Sequence, residues 1–218
     1  MLSDRRTRVK ICGITTPDDG LAVVAAGADA IGLVFHPSSS RAVTLQQAAE
    51  IRRRLPPFVV VVGLFVDPQV ELVEQAQRLV QLDLLQFHGD EAPEFCEQFQ
   101  RPFIKAVSAA AITDWSLLAE RYRSASGLLI DSGTPDAPGG TGKVFDWSLL
   151  PVGLDQPLIL AGGLNPGNVA RAVSEHHPYG VDVSSGVEST PGTKDWSKVC
   201  EFVKAVEGAD QHVRKVTG

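Results

Sequence analysis

The 218-residue sequence has little cysteine: Cys12, Cys96 and Cys200 are widely spaced, with no CxxC pair and no metal-ligand spacing among them and the five histidines. An odd, scattered set of this kind argues against a disulfide framework and points to a reduced, cytoplasmic setting. Long apolar runs are missing as well. Nothing approaches the roughly 18 consecutive apolar residues of a membrane span, and the opening MLSDRRTRVKICG lacks an apolar stretch of signal-peptide length. A soluble protein without a membrane partner is expected. Long runs of one charge are absent too. Twenty basic residues stand against 26 acidic ones, a formal charge of −6, and nothing suggests nucleic acid as a partner.

What is present is a hydrophobic content of 44%, enough at this length for one α/β domain spanning residues 1–218. Eight short apolar runs recur: Val9–Cys12, Ala30–Phe35, Phe58–Phe65, Leu82–Phe87, Phe103–Val107, Gly127–Ile130, Pro157–Leu160 and Gly180–Val183. Most are continuous rather than alternating, as in parallel strands covered on both faces. Between them lie capping residues followed by proline, at Thr16-Pro17, Asp67-Pro68 and Asn165-Pro166, each read as a helix start. Thr44, Thr113 and Asp146 are read as three more. Residues 46–55 and 71–79 carry apolar spacing near 3.6. Strand and helix alternate throughout, and eight units favour a closed (β/α)8 TIM barrel over a doubly wound sheet of five or six strands. The last ten residues are expected to extend or fray the final helix.

Chemistry in such a barrel sits at the carboxyl ends of the strands. The polar residues there are Cys12, His36 with Arg41, Asp67, His88 and Asp131, followed by three glycine-rich turns, GGTG (139–142), AGGLN (161–165) and SSG (184–186). Such turns expose backbone N–H groups to a phosphate dianion, although any single one could simply be a tight turn. Cys12 reads as a strand-end thiol or as a small core residue. Asp131 closes an apolar strand, where an acid is costly unless it faces a cleft or is hydrogen-bonded. Arg41 suits either bidentate capture of a carboxylate or a surface pairing with an acid. His88 suits a ligand contact or a satisfied core histidine. Cys96 and Cys200 read as packing residues in helices. A zinc site from Cys12, His36 and His88 fits by ligand type alone; no metal and no cofactor are expected.

The segments KICGIT, ADAIGLVFHPSSSRAV, VGLFVD, LLQFHGDE, GGTGKVFDW, LILAGGLNPGNV and GVDVSSGVES-x-PGTKD occur in that order from residue 10 to residue 195. Together they resemble the successive strand-end motifs of phosphoribosylanthranilate isomerases of tryptophan biosynthesis. The resemblance implies an Amadori rearrangement of N-(5-phosphoribosyl)anthranilate to 1-(2-carboxyphenylamino)-1-deoxyribulose 5-phosphate. It also implies Asp131 as general acid and Cys12 as general base, the latter helped to its thiolate by its surroundings. Arg41 would hold the substrate carboxylate, and Gly142, Gly162, Gly163, Ser185 and Gly186 its phosphate. Lys10 and His88 are further candidates for substrate contact. Two competing enzymes are less well matched. An indole-3-glycerol phosphate synthase would need a catalytic lysine and glutamate at strand ends, and a bifunctional aminoaldose isomerase a pair of aspartates. A noncatalytic phosphosugar-binding barrel is the alternative of a different class. Monomer and homodimer both remain open, with monomer the default.

Overall fold

The computed structural model describes residues 6–131, 151, 154 and 156–217. Eight parallel strands close in chain order: β1 (Arg8–Cys12), β2 (Ala30–Val34), β3 (Val60–Phe65), β4 (Leu84–Phe87), β5 (Phe103–Ser108), β6 (Gly127–Asp131), β7 (Leu158–Leu160) and β8 (Gly180–Val183). β1 pairs with β8 in register Lys10↔Asp182, which completes the barrel. Helices α1 (Pro17–Ala25), α2 (Leu45–Arg54), α3 (Val70–Val80), α4 (Pro93–Glu97), α5 (Trp115–Arg121), α6 (Val169–His176) and α7 (Trp196–Thr217) follow the strands among the described residues. A two-stranded hairpin, β9 (Glu188–Thr190) and β10 (Thr193–Lys194), stands between β8 and α7.

The near-continuous apolar strands have two faces to cover, and each is covered differently. Ile11, Ile31, Leu33, Val61, Phe65, Leu85, Phe87 and Leu128 pack outward in one cluster with helical residues such as Val23, Ile51 and Val73. The alternate positions form two smaller clusters inside the barrel, Ile104, Ala106, Leu129 and Ala161, and Cys12, Val34 and Leu64. Alternation along β1 therefore turns Val9 and Ile11 outward and Lys10 and Cys12 inward.

Helix starts follow the expected chemistry in part. Thr16 caps α1 by accepting from the Asp19 amide, with Pro17 as first residue, and Thr44 opens α2 in a reciprocal capping box with Gln47. Elsewhere the capping groups are used differently. Asp67 has φ 43 and accepts from the Asp90 amide, so it fastens one loop to the next, and α3 starts later, at Val70. Asn165 accepts from the Gly167 amide in a local turn, leaving Asn168 at the start of α6. At α5 the cap is Asp114 rather than Thr113. Asp146 lies outside the described residues. The final helix runs on to Thr217, extending rather than fraying. Among the described residues no helix is long and apolar enough to cross a membrane.

Candidate active site

Inside the barrel, Lys10 Nζ lies 2.9 Å from Asp182 Oδ1, with both side chains buried. Cys12 stands one step up the same face, opposite Gly32 of β2. A Cβ at position 32 would lie 2.7 Å from Cys12 Sγ and 3.1 Å from Lys10 Nζ, so glycine there makes the room in which thiol and ammonium meet. Burial pushes the Cys12 thiol up, Lys10 draws it down, and Asp182 pushes it up again; the net direction is upward. The expected help toward the thiolate does come from Lys10, but desolvation is the larger influence. Burial also disfavours the Lys10 ammonium, yet Asp182 and Cys12 outweigh it and the charge is held firmly.

Asp131 closes β6, and His88 Nε2 lies 3.6 Å from its Oδ2. On the other side of the ring, Gln86 Nε2 is 2.9 Å from His88 Nδ1. Gln86 is fully buried on β4, and its amide holds the imidazole at Nδ1 while Nε2 faces Asp131. Beneath this loop lies a lysine–glutamate pair the sequence reading did not find. Lys105 Nζ bonds Glu91 Oε2 at 3.0 Å and donates to the carbonyls of Phe87, Gly89 and Ala106. Glu91 in turn accepts from the amides of Asp67 and Gly89. Both side chains are almost wholly buried, at 3% and 2% exposure, so the pair braces the loops after β3 and β4 against strand β5.

Arg41 grips Glu188 with two hydrogen bonds, Nε to Oε1 at 2.8 Å and Nη2 to Oε2 at 2.7 Å. A surface pairing with an acid was one of the two readings open for this residue; the acid it pairs with is instead the buried Glu188. Its stem crosses Gly13, where a Cβ would lie 2.5 Å from Arg41 Cδ and where φ is 77; only glycine suits that position. Glu188 also receives Lys194 Nζ at 2.7 Å. Together Arg41 and Lys194 hold the Glu188 carboxyl below its ordinary range against the opposing effect of burial, the largest single influence.

The turns after β7 and β8 interlock. Gly162 and Gly163 take φ of 72 and 69, and a Cβ on Gly186 would lie 1.9 Å from the Leu164 carbonyl oxygen. No backbone N–H of Gly162, Gly163, Ser185 or Gly186 donates a hydrogen bond among the described residues. The neighbouring Ser184 hydroxyl is buried without a hydrogen-bond partner among the described residues. Gly142 lies outside the described residues. Among the described residues no three His, Cys, Asp or Glu side chains gather as a metal-binding group, so Cys12, His36 and His88 do not form one. Sequence reasoning missed Gln86, Asp182, Glu188 and Lys194 in the site and the Lys105–Glu91 brace beside it.

Residues 9–205 match the family model for N-(5'phosphoribosyl)anthranilate (PRA) isomerase. The chain is 52% identical over 201 residues to the N-(5'-phosphoribosyl)anthranilate isomerase of Pseudomonas syringae pv. tomato, covering 92% of this chain and 98% of that protein. A solved phosphoribosyl anthranilate isomerase in complex with reduced 1-(o-carboxyphenylamino)-1-deoxyribulose 5-phosphate is 39% identical, with TM-score 0.79 and coverage of 93% and 99%. Monomers generated from the dimeric isomerase of Thermotoga maritima are 38% identical, with TM-score 0.79 and the same coverage. With strand-end motifs, barrel order and near-complete coverage in agreement, the chain belongs to the N-(5'-phosphoribosyl)anthranilate isomerase family.

Proposed function

We propose that this barrel isomerises N-(5-phosphoribosyl)anthranilate in tryptophan biosynthesis, with Asp131 and Cys12 as its acid and base. The observation that carries the residue assignment is the placing of an acid and a thiol at the carboxyl ends of β6 and β1, the end at which barrels of this kind work. Asp131 gives its proton to the ring oxygen, the C1–O bond breaks, and the nitrogen lone pair makes an iminium. The Cys12 thiolate removes the C2 proton, and the C2–H electrons form the enolamine, which tautomerises to the 2-ketone. Oxidation at C2 balances reduction at C1 within one molecule, so no electron carrier enters. The cation formed in the first step favours the thiolate needed in the second, offsetting the burial that holds Cys12 protonated beforehand.

The phosphate is assigned to the amides of Gly162, Gly163, Ser185 and Gly186, with Gly142 as a further member, and the carboxylate to Arg41. Lys10 keeps positive potential beside Cys12, and His88 contacts substrate next to Asp131. Three free thiols accord with a cytoplasmic setting. Loss of fluorescence from freshly prepared phosphoribosylanthranilate tests the reading directly. Turnover by the purified chain is expected; a folded protein that binds phosphosugar without turnover would instead be a noncatalytic binding barrel.

A homodimer is the assembly we infer. The relative from Thermotoga maritima is dimeric, and the opposite, amino-terminal face of this barrel presents a self-complementary surface. Phe58 is fully exposed there with φ 68. It is one of the residues lining a groove of about 860 Å³, whose walls include Pro56, Pro57 and Leu79 together with the charged Arg52, Arg53 and Asp83. Knob and groove on one face fit a two-fold pairing. Analytical ultracentrifugation should give a dimer that Phe58→Asp converts to a monomer; a monomeric native chain at micromolar concentration refutes this.

A further inference from the structure

The arginine assigned to the substrate carboxylate already holds a carboxylate of its own. Arg41 commits Nε and Nη2 to Glu188, leaving Nη1 without a hydrogen bond among the described residues. Such an arrangement fixes direction well, because a bidentate guanidinium–carboxylate pair is planar and locks the long side chain. Taken alone it would also cancel the charge that a second carboxylate needs. Lys194 removes that difficulty. Its ammonium lies 2.7 Å from Glu188 Oε1 with 2% of its side chain exposed, and it also donates to the Ser184 carbonyl at 3.3 Å. Arg41, Glu188 and Lys194 together therefore carry one net positive charge. The hairpin bearing both partners is itself anchored to the mouth: Thr15 Oγ1 donates to the Gly192 carbonyl at 2.7 Å. Lys198 Nζ donates to the Glu188 carbonyl at 2.8 Å.

We infer that Glu188 and Lys194, on the β9–β10 hairpin, are the specificity device for the substrate's carboxylate: Glu188 aims Arg41, and Lys194 restores the positive charge that Glu188 would cancel. Both are positioning residues. The inference rests on the reading of Arg41 given above. It makes the hairpin a reader of the aromatic ring's ortho-carboxylate.

The test compares two substrates in the full chain: phosphoribosylanthranilate and the phosphoribosylamine made from aniline, which lacks the carboxylate. Lys194→Gln keeps a hydrogen-bond donor and removes the charge. It should raise KM for the carboxylate substrate about tenfold while leaving kcat, and both constants for the aniline compound, within about twofold. Lys194→Arg should restore the native ratio. Inorganic phosphate as competitive inhibitor gives a readout independent of turnover: affinity within about twofold of native is expected, and a matching loss of phosphate affinity would mean that Lys194 acts through its bond to the Ser184 carbonyl and would overturn the inference. If both substrates lose equally, or if the ratio does not move, the hairpin is only a structural brace and the inference is wrong. Should Lys194→Gln fail to fold by circular dichroism, Lys194→Met puts the same ratio to the same test. A native chain that turns over neither substrate would sink the isomerase reading itself; one that processes both without discrimination would sink only this inference.

Discussion

Asp131→Asn lowers kcat by two to four orders of magnitude, the range expected for loss of a positioned general acid. The amide has nearly the shape of the carboxyl group and keeps a polar atom toward His88, 3.6 Å away in the native site, so packing changes little. What it loses is a proton that can be delivered to the ring oxygen. Cys12→Ser should fall as far for the complementary reason. A serine hydroxyl occupies the space over Gly32 but ionises far less readily than a thiol. Because burial holds the Cys12 thiol above its ordinary value, the limb of native kcat/KM that reports thiolate formation should be displaced to alkaline pH, its rise opposed wherever Asp131 has lost the proton it must donate. That limb should vanish in Cys12→Ser. Fluorescence progress curves between pH 6 and 9, with product binding as a check on folding, decide the matter. A variant within tenfold of native activity would remove that residue from its assigned role.

Lys105→Met is the change expected to damage stability most. The methionine fits the space, but Glu91 is left as a buried carboxylate whose remaining partners are the amides of Asp67 and Gly89. Removing one member of a buried pair costs about 3–5 kcal/mol, which in a chain of this size lowers Tm by roughly 10 °C. Adding Glu91→Leu should recover part of the loss, since an apolar pair needs no counter-charge, but not all of it, since those amides then lose their acceptor. Calorimetry on the three proteins checks both statements. A single variant melting within about 2 °C of native would mean that the brace carries little energy.

The pattern of eight strands was legible because burial on both faces writes itself as unbroken Val, Ile and Leu runs, and each observed strand overlaps its run closely. Thr16 and Thr44 were legible as caps because nothing else competes for their hydroxyls. Asp67 and Asn165 carry the same signature, yet each spends its oxygen on a loop amide. The difference depends on neighbours that spacing does not reveal. In the site, strand-end polar residues could be found by position alone. Asp182 and Gln86 could not: they sit within apolar strands and are explained only by partners on other strands or at the rim, Lys10 and His88. Glu188 lies 147 residues from Arg41, and no local pattern announces such a pairing. Of the proposed phosphate turns, Gly142 falls outside the described residues, while the other two were visible as glycine pairs and small residues.

The contact between Gly186 and Leu164 has a consequence for redesign. Because the 184–186 turn rests its α-carbon directly on a carbonyl of the 161–165 turn, neither turn can be lengthened, swapped or randomised while the other is kept. Libraries aimed at a different sugar phosphate should therefore exchange the two segments as one cassette. Variation confined to one of them will mostly sample misfitted joints rather than new specificities.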